Sequence, residues 1–209
     1  MRRIINRRET PKPVQRIRLA IFDMDGTIFE SHLNWLNIRE ELQIPPGGNI
    51  LKEIYKGDRV DHRRLEILEK YENENTLKTV PINGIPGFLV ALKTGKVTTF
   101  LLTNNNRQNT FFLLEKYRLE FDLVITREMK LWKPDPDGFF YVMNRFMIDP
   151  GETVSIGDSP YDVEASRLAG IPHIFMIKTP RTRQMEAPDI TLFDDYVDLK
   201  TIMKERGMI

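Results

Sequence analysis

Two aspartates stand one residue apart at the point where an apolar run of the sequence ends. The run Leu19–Phe22 is followed by Asp23, and then by Asp25, Gly26 and Thr27. Two carboxylates this close repel each other, and burial raises the cost of ionising both of them. The pair therefore predicts a bound cation and two different roles for the two carboxyl groups.

Polar or charged residues follow three later segments of the chain in the same way. They are Thr103, Asn104, Lys133, Asp158 and Asp162. If these segments are strands of one parallel sheet, their carboxyl ends meet at one edge, where such folds bind their ligands. The topology then gathers four carboxylates, one hydroxyl and one ammonium group at that edge.

This set of groups suits phosphoryl transfer assisted by a metal ion. Clustered carboxylates bind a hard cation such as Mg²⁺, with water completing the coordination shell. A phosphate monoester brings about two more negative charges, which the cation and the Lys133 ammonium group offset. An aspartate can also act as a nucleophile and form an aspartyl-phosphate.

The segments that position these groups alternate between strand-like and helix-like patterns. Strands are predicted at 16–22, 97–102, 123–126, 153–157 and 173–177. Helices are predicted at 87–95, 107–119, 135–146 and 159–170, with Asp135 and Ser159 as N-caps. This alternation indicates an α/β fold with a doubly wound, Rossmann-like parallel sheet.

The block that follows the first strand has a different character. Helical spacing predicts helices, with no strand between them, at 35–42, 49–57 and 61–72. We therefore expect a catalytic core formed by 17–30 and 82–209 and an inserted small α-helical cap at 31–81. Residues 1–16 are expected to form a basic arm, most simply a solvated tail.

Four short motifs in this order resemble those of the haloacid dehalogenase superfamily, in its phosphatase branch. They are "DMDGT", "LLTNN", "KPDP" and "GDSPYD", and the resemblance runs from about residue 17 to 178. The inserted block resembles the small helical cap of the phosphoglycolate phosphatase and beta-phosphoglucomutase type. The superfamily's dehalogenases lack the second aspartate of the first motif, so Asp25 favours phosphate chemistry.

The resemblance implies a role for each site residue. Asp23 would attack phosphorus, and Asp25 would act as general acid and then as general base. The implied catalytic set is Asp23, Asp25, Thr103 and Lys133. The implied phosphate-binding set is Gly26, Thr27, Thr103, Asn104 and Lys133. The implied Mg²⁺ ligands are Asp23, Asp25, Asp158 and Asp162.

Several of these residues also have a purely structural interpretation. Asp162 lies three residues after Ser159, which is a capping-box position. Asn105 and Asn106 are interpreted as turn residues, and Trp35 fits a buried position in the cap as well as one at the entrance of the site.

The composition sets wider limits. Lys plus Arg number 31 and Asp plus Glu 30, so the net charge gives no argument for a nucleic acid or membrane partner. No apolar run reaches the roughly 18 residues that span a bilayer. The chain has no cysteine, and a cytoplasmic location is the simplest expectation.

The function expected from the sequence is Mg²⁺-dependent hydrolysis of a small phosphorylated metabolite. A phosphomutase of the beta-phosphoglucomutase type is the alternative within the same fold. A third hypothesis, from another class, is a binding protein that uses the basic arm. The sequence gives neither the substrate nor the oligomeric state.

Overall fold

A six-stranded parallel sheet forms the centre of the computed structural model, which describes residues 16–185 and 187–209. The strands are β1 (Leu19–Phe22), β4 (Thr98–Leu102), β5 (Leu123–Ile125), β6 (Thr153–Gly157), β7 (His173–Ile177) and β8 (Ile190–Phe193). Their spatial order is β5-β4-β1-β6-β7-β8, and every neighbouring pair is parallel. The predicted doubly wound α/β class is confirmed.

The register of the three central strands brings the polar strand ends together. Phe22, the last residue of β1, pairs with Leu101 of β4 and with Ile156 of β6. The residues that follow each strand therefore leave the sheet at nearly the same height, on the carboxyl edge. All four residues of β1 are buried, as expected for the middle of a parallel sheet.

Helices cover both faces of the sheet. They are α4 (Ile85–Thr94), α5 (Arg107–Tyr117), α6 (Asp137–Phe146), α7 (Pro160–Leu168) and α8 (Tyr196–Glu205). The apolar side chains of α4, α5 and α8 pack on one face, and those of α6 and α7 pack on the other. Each face thus carries its own hydrophobic core.

The inserted block folds as a small unit over the carboxyl edge. It contains α1 (Trp35–Glu41), α2 (Ile50–Ile54) and α3 (His62–Lys78), which share an apolar cluster. The expectation of a purely helical block is wrong, because β2 (Tyr55–Lys56) and β3 (Arg59–Val60) form an antiparallel hairpin. Gly57 does not end a helix but lies in the hairpin turn, with a φ of 62°.

Other boundaries also differ from the sequence expectations. Helix α6 begins one residue later than predicted, with Pro136 as N-cap, and Asp135 instead pairs with Lys52 of the cap. The strand β8 and the helix α8 were not predicted. The basic arm lies outside the described residues, apart from Arg16. Within the described chain, no helix combines the length and apolar character needed to cross a membrane.

Two helical glycines offer a test of how tightly the helices pack on the sheet. A β-carbon at Gly138 of α6 would lie 2.8 Å from the terminal methyl groups of Leu102, whereas one at Gly87 of α4 would meet nothing within 4 Å. We expect Gly138→Ala to lower the free energy of unfolding by roughly 1–3 kcal/mol through overpacking. Gly87→Ala should raise it by about 0.5–1 kcal/mol.

Chemical denaturation of the two variants measures both effects. If both variants changed the free energy of unfolding in the same direction and by the same amount, the close packing of α6 against β4 would be contradicted.

Candidate active site

A cavity of about 120 Å³ lies between the cap and the carboxyl edge of the sheet. Six of the residues predicted for the site line it: Asp23, Asp25, Thr103, Asn104, Lys133 and Asp158. The cap contributes an opposite wall that includes Trp35, Arg39, Asn49 and Glu72. The structure thus brings most of the predicted site residues together, and the cap covers them.

Lys133 stands between two carboxylates at the bottom of the site. Its Nζ donates hydrogen bonds to Oδ1 of Asp23 at 2.5 Å and to Oδ1 of Asp162 at 2.6 Å. Burial opposes the charge of the ammonium group, but attraction to Asp162 and Asp23 holds the pKa of Lys133 above its ordinary value. Lys133 is therefore a permanent cation within the carboxylate cluster.

The loop that carries Lys133 is held by the end of β4. The main chain of Lys133 donates to Oδ1 of Asn104 at 3.1 Å, and Nδ2 of Asn104 donates back to the Lys133 carbonyl at 3.0 Å. This reciprocal pair is the main use of the Asn104 side chain. The pair holds Lys133 at the end of β4, although Lys133 lies 29 residues after Asn104 in the sequence.

Both oxygens of the Asp162 carboxylate accept hydrogen bonds. Its Oδ2 accepts hydrogen bonds from the hydroxyl and the main-chain N–H of Ser159, at 2.6 and 3.0 Å, as in a capping box. Its Oδ1 accepts from Lys133. The Asp162 side chain lies so close to the main chain of residue 157 that only glycine fits there. A β-carbon on Gly157 would lie 2.4 Å from Cγ of Asp162.

Three carboxylates crowd the centre of the site. Single oxygens of Asp23, Asp158 and Asp162 all lie within 4.8 Å of one another. Burial raises the pKa of Asp23 to about 7; Lys133 opposes this rise and the charge of Asp162 adds to it. Burial, and then the charges of Asp23 and Asp162, raise the pKa of Asp158 as well. The donor set is all carboxylate oxygen, which fits a hard divalent cation.

Gly26 makes room for Asp158. Its φ is 85°, in the region that favours glycine, and a β-carbon there would lie 2.4 Å from Oδ2 of Asp158. Thr27 does not line the cavity, because its side chain is fully buried and its carbonyl accepts a hydrogen bond from the Tyr196 hydroxyl. Thr103 lines the cavity, and its hydroxyl also accepts from the main-chain N–H of Asn105.

Asp25 is held by two amide groups that the sequence did not point to. Its Oδ2 accepts from Nδ2 of Asn105 at 2.8 Å, and its Oδ1 accepts from Nδ2 of Asn75 at 3.4 Å. Burial raises the pKa of Asp25, while the hydrogen bond from Asn105 opposes the rise. Asn105 was interpreted as a turn residue, and Asn75 lies in the cap helix α3.

The contact between α3 and Asp25 comes from a buried helix face that is largely polar. The buried residues of α3 are Leu68, Glu72, Asn75 and Thr76. They follow the spacing of one helix face, but only the first is apolar. The face that α3 turns towards the protein therefore becomes polar as the helix passes the site.

The family follows from a comparison with known proteins. Residues 20–176 match the family model described as haloacid dehalogenase-like hydrolase. The chain therefore belongs to the haloacid dehalogenase-like hydrolase family, as the four motifs indicated.

Three similar proteins illustrate the relationship. An N-acetylmuramic acid 6-phosphate phosphatase of Pseudomonas putida is 22% identical over 179 residues, covering 74% of this chain and 80% of its own. A phosphoglycolate phosphatase of Nitrosospira multiformis is 31% identical over 119 residues, covering 55% and 52%. The solved structure of a Bacteroides vulgatus protein, proposed to be a beta-phosphoglucomutase, gives a TM-score of 0.71 at 18% identity, covering 94% of this chain and 90% of that chain.

The last similarity concerns the fold alone. The named relatives confirm the phosphatase branch, and the chain is a hydrolase of that branch.

The crowded carboxylates predict a specific response to Mg²⁺. Asp158→Asn removes one charge from the cluster, so the metal-free variant should melt at a higher temperature than the wild type. The wild type should gain about 2.7 kcal/mol of stability when Mg²⁺ is present at 100 times its dissociation constant. The variant should lose most of this gain, as measured by thermal unfolding with and without a chelator.

Asp58→Asn, at an exposed position in the hairpin turn, is the matched control and should respond to Mg²⁺ like the wild type. An undiminished Mg²⁺ response in Asp158→Asn would show that the ion does not bind at this cluster.

Proposed function

We propose that this hydrolase cleaves a small phosphomonoester through an aspartyl-phosphate formed on Asp23. The observation that carries the proposal is the placement of three unlike groups in one cavity. Asp23 is bound by Lys133, Asp158 lies beside it, and Asp25 is held separately by amide donors. A nucleophile, a charge-neutralising set and an acid–base group are thus available to one substrate.

In the first step a carboxylate oxygen of Asp23 attacks phosphorus, and the bond from phosphorus to the ester oxygen breaks. Asp25 gives its proton to the departing oxygen, so that the leaving group departs as an alcohol. The burial that raises the pKa of Asp25 favours the protonated form that this step needs. Lys133, hydrogen-bonded to Asp23, keeps the nucleophile oriented and offsets the charge of the phosphoryl group.

In the second step Asp25 accepts a proton from a water molecule, which attacks phosphorus. The bond between phosphorus and Asp23 breaks, inorganic phosphate leaves, and both aspartates return to their starting states. We assign the hydroxyl of Thr103 and the main-chain N–H of Asn104 to binding phosphoryl oxygens, as the motif implies.

Mg²⁺ fits the carboxylate cluster and would offset negative charge on the phosphoryl group when bound. Asp23, Asp158 and the main-chain carbonyl of Asp25 are the proposed ligands. Both oxygens of Asp162 already accept hydrogen bonds from Lys133 and Ser159. We therefore assign Asp162 to orienting Lys133 and the loop of Asp158 rather than to direct ligation.

The size of the cavity supports a small substrate. Its volume of about 120 Å³ is below the roughly 300 Å³ of pockets that hold drug-sized ligands. The cap wall offers an aromatic ring at Trp35, a guanidinium at Arg39 and an amide at Asn49 to the leaving group. Relatives named as phosphatases of N-acetylmuramic acid 6-phosphate and of phosphoglycolate support the same class of small phosphomonoesters.

Asp23→Asn tests the nucleophile. With p-nitrophenyl phosphate and Mg²⁺, we expect turnover to fall to the assay background, because an amide cannot form the acyl phosphate. Asp137→Asn, at an exposed position on α6, is the control and should retain full activity.

Circular dichroism and a denaturation curve establish that the Asp23→Asn variant is folded. Undiminished turnover in a folded variant would refute the aspartyl-phosphate mechanism. Assaying sugar phosphates for isomer formation as well as phosphate release separates hydrolysis from the phosphomutase alternative.

A further inference from the structure

A buried ion pair joins the cap to the core, away from the carboxylate cluster. Oε1 of Glu72, in the cap helix α3, lies 2.9 Å from Nη1 of Arg127, in the loop after β5. The two side chains are only 4% and 1% exposed. Nothing in the reaction steps above requires either of them, yet Glu72 also lines the catalytic cavity.

The groups around this pair hold it in place. The second oxygen of Glu72 accepts a hydrogen bond from Nδ2 of Asn106 at 3.1 Å, and Nη2 of Arg127 lies 3.4 Å from Glu69. Burial raises the pKa of Glu72, and the attraction of Arg127 opposes this rise. Buried ion pairs add little net stability compared with apolar residues of similar size. We therefore look for a role of the Glu72–Arg127 pair other than stabilising the fold.

On the cap side, the pair fixes a donor to Asp25. Asn75 follows Glu72 by three residues, one turn along the same face of α3, and its Nδ2 donates to Oδ1 of Asp25. Oδ1 of Asn75 accepts from the main-chain N–H of His32 at 2.8 Å. Because that N–H can only donate, the amide of Asn75 must turn its own donor towards Asp25.

On the core side, the same pair fixes a second donor. The main-chain N–H of Arg127 donates to the carbonyl of Asn105 at 2.9 Å, and Nδ2 of Asn105 donates to Oδ2 of Asp25. Oδ1 of Asn105 accepts from the main-chain N–H of Asn106 at 2.7 Å, which sets the orientation of this amide too. The residues that hold Glu72 thus also hold Asn105.

We propose that Glu72 and Arg127 are positioning residues for the general acid: docking α3 against the loop after β5 places one amide donor from the cap and one from the core on the two oxygens of Asp25. This inference rests on the proposed function, in which Asp25 protonates the leaving group. With both oxygens held, the plane of the carboxyl group is fixed relative to the ester oxygen. Small misplacements of a catalytic group are costly to the rate.

The test compares two phosphomonoesters that differ in their need for an acid. An alkyl phosphate such as glycerol 3-phosphate must have its leaving oxygen protonated, whereas 2,4-dinitrophenyl phosphate releases a stable anion. The measured quantity is kcat/KM with Mg²⁺, which reports the steps up to departure of the leaving group. Asp25→Asn defines the pattern for loss of the acid, and we expect its loss to be far larger on the alkyl ester.

The double variant Glu72→Gln/Arg127→Met removes both charges and keeps the volume of the side chains. We expect it to lose about 10- to 100-fold in kcat/KM on the alkyl phosphate and much less on the dinitrophenyl ester. Asn75→Leu removes one donor without touching the ion pair, and it should show the same split. This single variant keeps the test decisive if the double variant does not fold.

Lys52→Met is the matched control, because it breaks the half-exposed pair of Lys52 and Asp135, which also joins cap and core at 2.9 Å. This variant should have nearly the same kcat/KM as the wild type on both substrates. Equal losses on the two substrates in the double variant and in Asn75→Leu would overturn the positioning role. If Asp25→Asn itself shows no split, the assignment of Asp25 as the acid is wrong, and the inference fails with it.

Discussion

The site depends on one electrostatic constraint, which is the packing of like charges around a single buried ammonium group. Lys133 is hydrogen-bonded to both Asp23 and Asp162, and Asp158 lies within reach of the same cluster. Burial, and then repulsion among carboxylates that one cation cannot balance, raise the pKa values of Asp23 and Asp158. The protein alone leaves this charge unbalanced, which is the physical basis of the divalent cation proposed for this site.

The fold meets this constraint through backbone geometry more than through side-chain packing. The register of β1, β4 and β6 brings three strand ends to one height. Glycines at 26 and 157 then let two carboxylates approach the main chain more closely than any β-carbon would allow. The loop of Lys133 is attached to β4 by the reciprocal amide pair with Asn104. The sheet thus sets the positions, and these local contacts set the distances.

The sequence predicted five of the six strands of the sheet and the residues at its carboxyl edge, because buried strands and charged strand ends have distinct local patterns. It failed where the pattern was too short or ambiguous. The hairpin Tyr55–Val60 has strands of two residues, too short for a periodic signal. Glu72 and Asn75 resemble solvent-facing helix residues until their burial is known. Asn105 was assigned to a turn by its residue type, and only the structure shows its contact with Asp25.

The polar face of α3 bears on how the cap and the core can change in evolution. An apolar contact tolerates many partners of similar shape, but Glu72 requires the cation of Arg127 and the amide of Asn106 on the opposite side. A cap transferred from this chain to a core that lacks these two groups would bury a carboxylate without its partners. We therefore expect the cap and the core to be inherited together. A substitution at this contact in one of them restricts which substitutions the other can tolerate.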